Sequence, residues 1–179
     1  MSDYRVYLRA FDHGDVADRT RWMNDPEFRR MLNAPFPVSE ISTRKWLERI
    51  SSDPTREDMA ICLIESDRLI GYTGFRDIDL ANQKAEQYSG IGEKEYWWQG
   101  LGLEATLLGC RHIFSKYNLN KIIVKCRSEN LAILRMYAKA GFQQDGIARE
   151  DLFSHGQFRD IVVMSILRRE FFDLHGGGN

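Results

Sequence analysis

The stretch that decides the fold is Lys84 to Ala105, KAEQYSGIGEKEYWWQGLGLEA, which changes character three times within one short run. Lys84 to Ile91 alternates polar and apolar residues and contains Tyr88 and Ile91, the period-two pattern of a half-buried strand. Gly90 and Gly92 break that pattern. Glycine at such a place marks a bulge, or a close approach by another backbone or by a ligand. After a polar and aromatic link, Gly100-Leu101-Gly102 opens a helix whose apolar stripe is Leu103, Leu107, Cys110, Phe114 and Tyr117. Those spacings are helical. A glycine turn that feeds a helix points backbone N–H groups outward at the positive end of the helix dipole, a setting suited to phosphate. Steric needs alone also place glycines at helix starts.

Working outward, a chain of 179 residues, 43% hydrophobic and 12% aromatic, fills one core, and a single domain is expected. The 25 basic and 26 acidic residues leave a net charge of −1. No global field recruits nucleic acid or an anionic membrane. Cys62, Cys110 and Cys126 lie far apart in apolar patterns and read as reduced core thiols of a cytoplasmic protein. The four histidines are dispersed, without metal-ligand spacing, so no metal is expected. No apolar run approaches the roughly 20 residues of a membrane span, and Met1 to Ala10 lacks the apolar centre of a signal peptide.

In chain order, Tyr4 to Leu8 alternates as a first strand. Asp12 or Asp15 then caps a helix that ends near Asn24-Asp25-Pro26. Trp22 in that helix reads as core. Pro35-Phe36-Pro37 is a stiff turn, and Ser39 caps a helix from about Glu40 to Ser51. Strands follow at Ala60 to Glu65 and Leu69 to Asp77, joined at Ser66-Asp67, and Asp79 to Gln83 is a polar turn. The Lys84 strand, the Gly100 helix and an Ile122 to Cys126 strand form a crossover, which makes the two strands parallel neighbours. After a helix led by Asn130, Gln143 to Phe153 and Phe158 to Leu167 form a hairpin around Ser154-His155-Gly156-Gln157. The end of the chain, from 171 with its Gly176-Gly177-Gly178 run, reads as frayed.

Gly100-x-Gly102-x-x-Ala105 also fits the dinucleotide fingerprint, which requires a strand ending at the first glycine and an acidic residue about 20 residues later. The strand pattern stops near Gly92, and the Ile122 strand ends among Lys125 and Arg127. The fingerprint reading fails on both counts.

The order strand, aromatic link, Gly-x-Gly, helix, strand, followed by Ser128 to Phe142, SENLAILRMYAKAGF, resembles the GNAT superfamily of N-acetyltransferases, and within it the RimJ/RimL-like branch. The likeness runs from Arg5 to about Glu170 and includes the Trp22 to Glu27 segment, which in that branch lines the acceptor side of the cleft. It implies an α/β (α+β) fold: a mixed, mostly antiparallel sheet of about seven strands with a splayed parallel pair, flanked by about four helices. The family's Arg/Gln-x-x-Gly-x-Gly/Ala pattern falls on Trp97-Trp98-Gln99-Gly100-Leu101-Gly102, with Trp97 where Arg or Gln is usual. The resemblance implies acetyl-CoA as co-substrate. Its diphosphate would rest on Gln99, Gly100, Leu101, Gly102 and Leu103, and its pantetheine arm would pair with the strand edge at Ile91 and Gly92.

Asn130 and Tyr137 are seven residues apart on a predicted helix, about 20° apart around it and roughly 10 Å along it, so both can face one cleft. The family's Asn…Tyr…Gly-Phe arrangement gives Asn130 to the cofactor and makes Tyr137 the proton donor to the coenzyme A thiolate. A phenol, with an ordinary pKa near 10, carries that proton at neutral pH. Taken without the motif, Tyr137 is a core aromatic and Asn130 a helix N-cap. Glu86, on the central strand near the bulge, is the candidate base, its pKa raised toward neutrality by partial burial. Glu93 and Glu95 read as part of an exposed link. The acceptor implied is a primary amine: a protein N-terminus, or a small molecule such as a polyamine or amino sugar. A non-catalytic acyl-CoA-binding module is the reading from another class. The resemblance also allows a homodimer.

Overall fold

A computed structural model describes residues 4–30, 37–154 and 156–176. The expected turn at Pro35-Phe36, the hairpin residue His155 and the last glycines, Gly177 and Gly178, lie outside them. Seven strands form one sheet: β1 (Val6–Ala10), β2 (Glu57–Leu63), β3 (Leu69–Asp79), β4 (Lys84–Ile91), β5 (Lys121–Arg127), β6 (Gln143–Ser154) and β7 (Gln157–Leu167). Their order is β1-β2-β3-β4-β5-β7-β6. The sheet is mixed and mostly antiparallel, with β4 and β5 parallel as a crossover requires. Where about four helices are expected, the described residues hold six: α1 (Val16–Asn24), α2 (Pro26–Arg29), α3 (Glu40–Ser51), α4 (Leu101–Lys116), α5 (Leu131–Lys139) and α6 (Arg168–His175).

By packing, the chain divides into two compact units, Met1–Gly74 with Ser89–Ala105, and Phe75–Tyr88 with Thr106–Asn179. In the first, Val16 of α1 packs with Leu47 and Ile50 of α3, and Phe11 and Trp46 close over them. α1 stops where sequence places the stop. Pro26 follows, and the Asp25 side chain accepts the N–H groups of Glu27 and Phe28, which starts α2 at once.

In the second unit β5 lies between a short parallel partner and the full length of β7. The β6–β7 hairpin shifts register between Gln144 and Gly146 and again between Ala148 and Leu152, so the edge strand β6 is bulged twice. Bulges of this kind blunt an edge against pairing with other chains.

The chain end is a correction to expectation, because residues 168–175 form α6. Phe171 is fully buried and its ring lies 5.6 Å from that of Phe114. Burying such a side chain stabilises by roughly 1.5–3 kcal/mol. Arg111 donates to the carbonyls of His175 and Gly176, a cation satisfying the last acceptors of the helix. Those two ties hold what the glycine run suggested would fray.

Cys62, Cys110 and Cys126 are buried free thiols, and burial pushes Cys126 up to about 12. None of them is poised as a thiolate nucleophile.

Candidate functional site

In the first unit, the glycines that end β4 are explained by what occupies the space beside them. A Cβ on Gly90 would stand 3.1 Å from the ring of Phe28 and 3.3 Å from that of Tyr72. A Cβ on Gly92 would overlap the indole of Trp22, and one on Gly71 of β3 would overlap the carbonyl of Gly90. The amides of Gly92 and Glu93 both donate to the carbonyl of Ile70, at 2.8 and 3.1 Å. Two residues answering one partner is the count of a β-bulge. The carbonyl of Ile91 accepts from the indole nitrogen of Trp97 at 2.7 Å. Trp97 therefore closes the link onto the strand, and the Gly92 amide expected to meet pantetheine is held by Ile70.

Glu93 corrects the reading of this link as exposed. It is buried, and its carboxylate accepts from the Trp22 indole at 2.9 Å and from Arg21 and Arg68. Burial pushes the carboxyl up, but the hydrogen bonds and charges of these partners hold it below the usual carboxylate range. The network fixes the chain just past the bulge. Glu95 is exposed and pairs with Arg68.

The Gly100 turn is built differently. Gly100 has φ +84°, and the nearest atom a Cβ there would meet is an Arg5 nitrogen at 3.5 Å. Its carbonyl accepts the amides of Leu103 and Glu104, so the Leu101 and Gly102 amides head the helix in front of that ladder. The Gln99 side chain donates to the Glu95 carbonyl at 2.6 Å, and Arg5 donates to the Gln99 carbonyl at 2.7 Å while pairing with Glu104. Arg5 and Glu104 are 99 positions apart. No local pattern announces that clamp. A helix of 16 residues led by two glycines, one in the left-handed region, is a backbone fit for a diphosphate.

The second unit holds the polar chemistry. β4 pairs with β5 at only three positions, Lys84 with Lys121, Ala85 with Ile122 and Glu86 with Ile123. Gln87 is the first residue beyond the last pair, and its side-chain oxygen accepts the Tyr137 hydroxyl at 2.6 Å. Tyr137 lies on α5 with its ring buried and 5.1 Å from that of Phe142. The core-aromatic reading and a directed hydroxyl are thus both features of one side chain. Gln87 was not picked out from sequence, where it is one more polar position on an alternating strand.

Asn130 is the N-cap of α5, its side-chain oxygen accepting the Ile133 amide at 3.3 Å, while its amide nitrogen takes no part in the cap.

Glu86 requires a further correction. It is buried as expected, but Arg76 grips its Oε1 and the Lys125 ammonium lies 3.0 Å from Oε2. Burial raises its affinity for a proton. The hydrogen bonds and charges of Arg76 and Lys125 outweigh that, so its pKa lies below the ordinary value instead of near neutrality.

The sequence candidates therefore fall into two groups, Ile91, Gly92, Gln99, Gly100, Leu101, Gly102 and Leu103 in the first unit and Glu86, Asn130 and Tyr137 in the second. Among the described residues no group of three or more His, Cys, Asp or Glu is placed to hold a metal, and no helix is long and apolar enough to cross a membrane.

Comparison with known proteins gives the same frame. The family model described as an acetyltransferase (GNAT) domain matches residues 5–143. An uncharacterized N-acetyltransferase, p20, of Bacillus licheniformis is 28% identical over 93% of this chain and 95% of its own. The spermidine N(1)-acetyltransferase of Vibrio cholerae is 28% identical over 94% of this chain and 96% of its own. A crystal structure of spermidine N-acetyltransferase from Vibrio cholerae, in complex with CoA and spermine, superposes with a TM-score of 0.87 at 21% identity, covering 94% of this chain and 98% of that one.

Proposed function

Because this chain belongs to the acetyltransferase (GNAT) domain family and is an N-acetyltransferase, we propose that it moves the acetyl group of acetyl-CoA to a primary amine by direct attack, with Tyr137 protonating the departing thiolate. The observation that carries this reading is the Tyr137 hydroxyl held on Gln87, the first β4 residue beyond the stretch paired with β5. Strand groups past that point are suited to pair with the amide-bearing arm of the co-substrate, and the Leu101 and Gly102 amides suit its diphosphate.

In the proposed reaction the amine nitrogen forms a bond to the thioester carbonyl carbon, the carbon–sulfur bond breaks, sulfur takes the phenolic proton, and the proton shed by the acylated nitrogen returns the Tyr137 phenolate to phenol. The surplus proton of the ammonium leaves to solvent, because Glu86, ionised between Arg76 and Lys125, is a weak acceptor at neutral pH. Glu86 then acts electrostatically, keeping Arg76 and Lys125 in place at the end of the paired stretch. Asn130 contributes its cap and offers its amide nitrogen to the co-substrate.

For the acceptor we favour a single primary amine, such as the N-terminal amine of a polypeptide, in keeping with the RimJ/RimL likeness. Polyamine recognition needs carboxylates available to cations. Around α1 and α2, Asp15 is paired with Arg9, Asp18 with Arg21, and Asp25 and Glu27 with Lys94. On α1 the Arg19 guanidinium stacks 3.6 Å from the Trp46 ring, and its buried Nε has no hydrogen-bond partner. A cation so placed repels another. The named activity of the Vibrio cholerae relative supports spermidine as the second reading.

The test is thiol release from acetyl-CoA with short peptides bearing free N-termini, with spermidine and with an amino sugar. Release with peptides and little with spermidine supports the preferred acceptor, and the reverse order overturns it. Tight acetyl-CoA binding with no release for any amine, unchanged in Tyr137→Phe, would make the protein a binding module instead.

A further inference from the structure

Trp98 is an anomaly in this fold. Five non-glycine residues among those described have positive φ: Asp67, Asp77, Gln83, Glu150 and Trp98, at φ 65°. The first four are polar, Asp77 and Glu150 within β3 and β6 and Asp67 and Gln83 in loops, whereas a bulky side chain in the left-handed region is a clear outlier. Trp98 is also 80% exposed. The other tryptophans are engaged: Trp22 on Glu93, Trp46 on Phe11 and Arg19, Trp97 on the Ile91 carbonyl. Among the described residues nothing stacks on the Trp98 indole.

Its backbone is held by ties on either side. The Trp97 amide donates to the Lys94 carbonyl at 3.0 Å, the Gln99 side chain reaches Glu95, and Arg5 holds the Gln99 carbonyl. The strain is thus imposed by a loop that fixes its neighbours, and the result is a large aromatic face offered to solvent two residues before Gly100. Strain of this kind collects at functional positions.

We infer that Trp98 is the stacking platform for the adenine of coenzyme A. The inference rests on reading the Gly100 turn as the diphosphate seat. Coenzyme A has one aromatic face, its adenine. Acyl transfer needs the thioester end out of water, so the end that meets a solvent-exposed indole is the nucleotide. Two Cα steps separate Trp98 from Gly100, at most about 7.6 Å, a span comparable to the ribose that links diphosphate to base. Base-on-indole stacking stabilises by about 1–3 kcal/mol, equivalent to roughly five- to 150-fold in affinity.

The experiment compares the full-length protein with W98G and W98F, titrated with coenzyme A by calorimetry and with its fluorescent 1,N6-etheno-adenine analogue by emission. W98G relieves the positive φ and should fold with an unchanged or higher Tm. We expect it to bind coenzyme A about tenfold more weakly, while W98F stays within about threefold of wild type. At saturation the etheno emission is quenched on wild type and restored on W98G. Equal affinity in W98G, equal weakening in W98F and W98G, or unchanged etheno emission would each overturn the stacking assignment. Failure of the unsubstituted protein to bind coenzyme A at all would overturn the diphosphate reading beneath it.

Discussion

The glycines at the end of β4 and the glycines at the head of α4 look alike in sequence and are opposite in structure. Beside Gly90 and Gly92 the missing side chain is replaced by Phe28, Tyr72 and Trp22. Beside Gly100 there is one Arg5 nitrogen at ordinary contact distance, and the residue is glycine because its φ is +84°. The first pair is glycine to let protein in. The second is glycine to shape the left-handed turn that opens α4. A glycine-rich stretch next to a strand edge therefore does not by itself mark a ligand site, and the question of what fills the space separates the two cases.

Substitutions can break or sharpen this contrast. The largest effect is expected where polar chemistry, not packing, defines the place: Tyr137→Phe should lower kcat by about 10²–10⁴-fold and leave the affinity for acetyl-CoA within a factor of about two. Steady-state rates set beside a binding titration would show it, and parallel loss of both would reduce Tyr137 to a core residue. Next comes Gly92→Ala. The new methyl would collide with Trp22, at about 3 kcal/mol for overpacking a filled site, or a Tm lower by roughly 6–12 °C for a chain of this size. Gly100→Ala meets only backbone strain, about 1–2 kcal/mol, so thermal melts that ranked it below Gly92→Ala would contradict the comparison.

Glu86→Gln gives a smaller effect with a definite sign. The folded pKa of Glu86 is depressed, so its contribution is fully present above the unfolded value of about 4.3 and is lost as pH falls through the lower folded value. The variant should be less stable than wild type at neutral pH, with the difference closing on acidification below about pH 4. Denaturation midpoints across that range test it. Were Glu86 the general base after all, the same variant would lose turnover by about a hundredfold or more at every pH while stability hardly moved. Smallest of all, Asn130→Ala should remove one helix cap, about 1 kcal/mol, visible as a shift of about 2–4 °C in Tm.

Local signals made much of this legible. The alternation of Lys84 to Ile91 gave β4 its bounds, Pro26 ended α1, Ser39 began α3, and the crossover required a parallel pair. What escaped the sequence depends on distant partners. Glu93 looked exposed because Arg21 and Arg68, which let it be buried, are 72 and 25 positions away. Burial of Glu86 was foreseen, but the sign of its pKa shift needed Arg76 and Lys125 in space. Arg168 to His175 carries helical spacing at Phe171 and Leu174, and the glycine run behind it masked that. Gln87 carries no pattern of its own and is recognisable only once Tyr137 is placed against it.

The most direct measurement is hydrogen exchange along the chain with and without acetyl-CoA. Slower exchange is expected at Gln87 to Ile91 and at Leu101 and Gly102 when the co-substrate is added, with Gly92 and Glu93, already bonded to Ile70, unchanged. Unaltered exchange at β4 and at the head of α4 under saturating acetyl-CoA would contradict the proposed co-substrate site.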